Sequence, residues 1–217
     1  MCRIRAVKVC AFLALFSFAS LIQAEDVGLV NLVAGEVTFT AKGAKAEKVK
    51  PFMKVRDGDR FQVAKGAQLR VVYFAGARQE RWSGPASFRA AKQASKPISG
   101  SPAEVVALPA GVSQRIARVP ELVQNAQLGG VQLRSGKRAA GGPAGPRPES
   151  EGALREARAT YESLRAKLAA DDITAELYLY AVLSEHGLRD EMRKLAQEMQ
   201  RKQPDNEEVK WLAKEAR

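Results

Sequence analysis

The feature that most constrains this 217-residue chain is a break in its composition. From Arg134 to Ser150 it holds Gly136, Gly141, Gly142, Gly145, Pro143, Pro146 and Pro148, with hardly any bulky apolar side chain. Such a stretch buries too little surface to offset its ordering entropy, so it reads as a flexible linker. Before it, apolar residues recur with the period of a strand; after it, they recur with that of a helix. The expected fold class is therefore α+β as separate domains. A small antiparallel β sandwich or barrel-like domain is followed by a Gly/Pro-rich linker and a four-helix array.

The first residues read as a leader. Arg3, Arg5 and Lys8 make a positive start, and Val9 to Ile22 form an apolar run. That run is about 14 residues, short of the about 20 that span a bilayer as a helix. Leu21-Ile22-Gln23-Ala24 provides a small residue before a cut, so cleavage is expected after Ala24 and residues 1–24 are set aside as a signal peptide. Both cysteines, Cys2 and Cys10, fall inside the leader. The exported chain would hold no disulfide and must be stabilised by its core.

The region of residues 27–133 reads as short strands punctuated by turns. Gly28 to Val33 and Glu36 to Thr40 flank Ala34-Gly35, and Asp57-Gly58-Asp59 is a turn signal ahead of Phe61 and Val63. Gln68 to Phe74 is the best strand, with Leu69, Val71 and Tyr73 on one face and Val72 and Phe74 on the other. Arg78 to Trp82, Ala86 to Arg89 and Ala103 to Leu108 are further strands, and Pro120 to Leu128 a short helix. Lys42 to Lys50 reads as a loop.

Residues 151–217 follow helical steps. Leu154, Ala157, Tyr161, Leu164 and Leu168 make one stripe, and Asp171-Asp172 breaks it. Thr174 is placed to cap a second helix whose run from Leu177 to Leu183 is read as without a polar residue and which Gly187 stops. Leu188, Met192, Leu195 and Met199 mark a third helix ending near Pro204. Asp205 and Glu208 have capping-box spacing for a fourth, with Val209, Leu212 and Ala216.

Two resemblances attach to these residues. Gly35-Glu36-Val37, Gly58-Asp59-Arg60-Phe61, Gly66-Ala67 leading into Leu69 to Phe74, and Trp82-Ser83-Gly84-Pro85-Ala86 resemble the periplasmic FecR-type domain over Val27 to Ala91. That resemblance implies a small β-fold used in envelope sensing or binding. The stretch from Asp171 to Pro204, with Gly187 at its turn, is similar to a tetratricopeptide repeat of about 34 residues, which implies a protein-binding groove between helices.

The side chains needed for chemistry are scarce. One His, His186, stands at a helix end and no Cys follows the leader, so neither a metal set nor a nucleophile with its base is expected, and no cofactor. The pairs Asp57/Asp59 and Asp171/Asp172 sit at expected turns, where Asp bonds local backbone. Arg78, Arg81 and Trp82 make a candidate cation-and-aromatic binding patch, while Trp82 also suits the β-core. Tyr178 and Tyr180 are packed helix positions or groove residues. Without Arg3, Arg5 and Lys8 the 35 basic side chains fall to 32 against 24 acidic ones, a balance of +8 that either attracts an anionic surface as partner or only keeps the protein soluble, and nothing resembles a nucleic-acid motif.

The expected function is that of a periplasmic, non-enzymatic binding or scaffolding protein with no membrane span after the leader. Its β-domain would contact an envelope component such as peptidoglycan, and its helices an envelope protein. The alternative is an accessory sensor subunit of an envelope signalling system.

Overall fold

The computed structural model describes residues 25–127 and 148–215, and every structural statement below concerns these. The expected leader and most of the Gly- and Pro-rich stretch lie outside them. The last three residues of that stretch, 148–150, already belong to a helix, so the helical part starts earlier than expected.

Ten strands form two antiparallel sheets. Sheet A runs β10 (Glu104–Ala107), β7 (Arg78–Ser83), β6 (Gln68–Tyr73), β1 (Asp26–Ala34), β4 (Lys54–Arg56). Sheet B runs β3 (Glu47–Lys48), β2 (Val37–Thr40), β5 (Arg60–Val63), β8 (Ala86–Ala90), β9 (Ser95–Gly100). Alternation sends Leu69, Val71 and Tyr73 of β6 into the space between the sheets, where they meet Phe61, Trp82 and Phe88. There the rings stack in series. Trp82 and Phe88 lie 4.3 Å apart, Phe88 and Phe61 5.0 Å, and Phe61 and Phe39 6.1 Å.

Six helices follow or flank the sheets: α1 (Val112–Ile116), α2 (Val119–Gln127), α3 (Pro148–Arg165), α4 (Thr174–His186), α5 (Arg189–Lys202) and α6 (Glu207–Glu215). The α+β class holds. Separate domains do not describe the packing, because Leu29 of β1 and Val72 of β6 share one apolar core with Ile116, Val119, Leu164, Leu177, Tyr180 and Leu212 of the helices. The cause is in β6 itself, which carries apolar side chains on both faces and so needs a cover on each. The molecule is layered: sheet B, sheet A, helices.

Helix α4 sits at the centre of the helical layer, buried from Thr174 to Leu183 and touched by α1, α3 and α5. Gly187 closes it at φ 69°, and the Leu188 amide reaches the Leu183 carbonyl at 3.1 Å. The caps differ from expectation. Ile173, not Thr174, stands at the N-cap of α4 and offers no side-chain cap; the Asp172 carboxylate just before it accepts the Thr174 amide at 2.8 Å. Asn206, not Asp205, caps α6, its Oδ1 accepting the amides of Glu208 and Val209.

A buried polar seam fastens the helices to sheet A. Asn31, Gln79, Asp172 and Thr174 are each buried, and they bond to one another across the layer boundary. Beside them Arg70, 1% exposed, donates from Nη2 to both carboxylate oxygens of Asp171 at 2.9 Å. Removing one member strands its partners without water. Two consequences are expected in urea unfolding. Trp82 in the sandwich and helical circular dichroism lose signal in one coincident transition, measured in a Trp211→Phe background so that Trp82 alone reports. Asp172→Ala moves both signals together by roughly 3 kcal/mol. Two separated transitions would show that sheet and helices are independent units.

Candidate binding surface on the outer sheet

Strands β5 and β8 turn Phe61, Val63, Phe88 and Ala90 inward, so Arg60, Gln62, Ser87 and Arg89 face outward. Register aligns these with their neighbours. Thr38, Gln62, Ser87 and Ser99 lie opposite one another across β2, β5, β8 and β9. They line a cleft of about 560 Å³ together with Glu36 and Pro85. The Ser87 and Ser99 hydroxyls are 2.7 Å apart, so this row presents hydroxyl and amide groups already ordered by the sheet. One rim of the cleft is fixed by a close backbone approach at Gly84, where a Cβ would lie 1.7 Å from the Ala64 carbonyl oxygen.

The next row is cationic. Arg60 pairs with Arg89, and Arg89 with Lys96, each directly opposite in adjacent strands. All three are exposed, and among the described residues none has an acidic partner. Like charges directly opposite in a sheet cost stability, by a few tenths of a kcal/mol at a surface. An anion lying across the row would relieve that repulsion while the hydroxyl row bonds to neutral polar groups beside it. Sequence reasoning missed these cations, although Arg60-Phe61 and Phe88-Arg89 carry the signal: each flanks a core phenylalanine and so must face outward.

The residues singled out from sequence are placed elsewhere. Trp82 is 1% exposed and stacks in the sandwich core, which corrects its assignment to a surface patch. Arg78 lies 3.5 Å from the buried Glu80 carboxylate. Arg81 points to the opposite face and pairs with Glu104 at 2.7 Å. The three therefore form no common patch. Tyr178 and Tyr180 are both buried in the helical core and line no groove.

The acidic pairs are turn and seam residues. Asp59 is buried, and its Oδ2 accepts the Arg56 amide at 2.9 Å, bracing the turn between β4 and β5. Burial raises its pKa, partly opposed by that amide and by the Arg56 charge. A raised carboxyl pKa favours the fold at pH below the unfolded value and is lost as pH rises through the folded value. Asp59→Asn keeps an acceptor for the amide and removes the buried charge. Its stability relative to the parent is thus expected to be greater at neutral pH than at pH below the usual carboxyl range. Denaturation curves of both proteins at the two pH values check this, and a difference that does not change with pH would refute it.

Among the described residues no helix is long and apolar enough to cross a membrane, and no three His, Cys, Asp or Glu residues gather as metal ligands would. No protein-family model matches this chain, and no curated protein or solved structure shows significant similarity to it.

Proposed function

We propose that this chain is an exported, non-catalytic binding protein of a bacterial cell envelope, and that the outer face of sheet B docks it on an anionic glycan such as peptidoglycan. The observation that carries the reading is the row Arg60, Arg89, Lys96, aligned by strand register and without acidic partners, beside a cleft lined with hydroxyl and amide groups and, at its β2 end, by the Glu36 carboxylate. A sugar chain offers hydroxyls to one row, and its acidic substituents meet the other. The leader, with Arg3, Arg5, Lys8 and the apolar run to Ile22, supports export to the periplasm.

The helical layer is read as one tetratricopeptide-like repeat, α4 with α5, flanked by α3 and α6. In its favour, helices adjacent in sequence pack on each other from α3 to α6. The stretch ahead of Pro148 serves as a Gly- and Pro-rich connection. Because α4 is enclosed, an envelope protein partner would use the outer sides of α3, α5 and α6. The FecR-type resemblance of the β-region stays part of this proposal. The accessory-sensor reading draws on one feature, the polar seam, since a sheet tied to helices by buried hydrogen bonds can pass on a change at either side.

Co-sedimentation with purified sacculi tests the docking face. The protein is expected to pellet with them, less so as salt is raised. Arg60→Gln, Arg89→Gln and Lys96→Gln together are expected to lower binding at least about tenfold, while the variant is no less stable and gains up to roughly 0.5 kcal/mol as the cross-strand repulsion goes. Undiminished pelleting of a folded triple variant would sink the proposal.

A further inference from the structure

A second cleft, of about 330 Å³, opens between sheet A and the segment joining α3 to α4. Its polar lining is unbalanced. Arg70 spends Nη2 on Asp171, but its Nη1 is buried and has no hydrogen-bond partner. Arg81 spends Nη2 on Glu104, and its Nε is likewise buried without a partner. Lys167 at the mouth is exposed and has no acidic partner among the described residues. The acceptors that line the cleft serve other donors: Asp172 Oδ1 takes the Asn31 amide group and the Thr174 N–H, Oδ2 takes Gln79, and Glu104, 68% exposed, takes only Arg81 Nη2. None of them bonds Arg70 Nη1 or Arg81 Nε.

A buried guanidinium nitrogen with no partner costs a full desolvation penalty, and an oxyanion is the group that repays it best, through short charge-assisted bonds. Val106 and Leu168 add an apolar wall, so the space takes more than a bare ion. We propose that this cleft is a binding site for a small organic anion, held by carboxylate or phosphate oxygens against Arg70 and Arg81, with Lys167 closing over it. The ligand would touch sheet A through Arg70 and Arg81 and the helical layer through Lys167, so its binding tightens the seam between them. Asp171 competes with it for the Arg70 guanidinium.

The site is distinct from the outer face of sheet B, and its test keeps the two apart. Calorimetric titration of the protein uses orthophosphate, glucose 6-phosphate and succinate as separate probes, which distinguishes a phosphate site from a carboxylate site. Saturable binding of at least one probe is expected. Lys167→Ala is expected to weaken it about 2- to 5-fold, the size of one exposed ion pair. Asp171→Asn is expected to tighten it by a similar factor and to enlarge the rise in melting temperature that the probe produces, a gain that a purely structural Asp171 would not give. Substituting Arg60, Arg89 and Lys96 should leave the titration unchanged. The proposal is overturned by absence of saturable binding for all three probes, by affinities indifferent to both Lys167→Ala and Asp171→Asn, or by loss of binding in the outer-face variant, which would mark diffuse surface charge.

Discussion

Because sheet A is covered on both faces, strand β6 has to serve two cores at once. Leu69, Val71 and Tyr73 fill the sandwich, while Val72 joins the helical core and Arg70 reaches the seam. A strand in this position cannot alternate apolar and polar in the ordinary way, and its burial from Leu69 to Tyr73 shows the result. Arg70 is the exception that makes the layer boundary specific. A guanidinium at 1% exposure is tolerable only with a carboxylate beside it, and Asp171 occupies that place from the α3–α4 connection. The seam thus fixes where the helices sit on the sheet, and apolar contact alone would allow several placements.

Helix α4 meets the same demand from the other side. It is buried over its first ten residues, so its polar groups must find partners inside the protein. Thr174 joins Asn31 and Gln79 of the sheet, and Glu176, fully buried, is held by Lys202 at 2.5 Å and Arg165 at 3.4 Å. One end of the helix is therefore tied to sheet A and to α3 and α5 together. The sandwich, by contrast, is specified mainly by shape, through the stacked series Trp82, Phe88, Phe61 and Phe39.

Local pattern carried much of this into the sequence, and its limits were physical. The period-two runs at Gln68 to Phe74 and Ala86 to Arg89, the stripe from Leu154 to Leu164 and the stop at Gly187 all read correctly, because each depends on neighbours along the chain, whereas Leu168 lies beyond the end of α3 at Arg165. Strand β9 was missed since Ser95–Gly100 is an edge strand of small and polar residues, with Pro97 inside it, held by pairing with β8 and not by burial. The cap of α6 falls one residue from its expected place because Asp205 and Asn206, equally good capping side chains, stand side by side, whereas the N-cap position of α4 is Ile173, which offers no side-chain cap. Trp82 could not be assigned a face without the register, and one residue of shift moves a side chain to the other surface. The contact between sheet and helices was hidden by the Gly- and Pro-rich stretch, whose composition suggests separation although the flanking residues pack into one core. The cations of the outer sheet were legible one by one, but their alignment arises from pairing between β5, β8 and β9 that no local pattern encodes.

That alignment bears on which surfaces are free for binding. The inner face of sheet B and both faces of sheet A are committed to the two cores, so the outer face of sheet B is the one broad sheet surface left to solvent among the described residues. A face maintained only for solubility would intersperse charges of both signs, since that lowers repulsion at no cost in solvation. Here three cations stand opposite one another, with the one carboxylate lining the adjoining cleft, Glu36, outside their row, although Thr40 and Ser87 show that neutral polar residues fit neighbouring positions of the same face. The arrangement sacrifices a little stability in the free protein, and an extended anionic ligand lying along the row returns it. A single small ion would meet the charges but leave the adjoining cleft of hydroxyl and amide groups unused, which is why a chain carrying both acidic and hydroxyl groups is the better match for this surface.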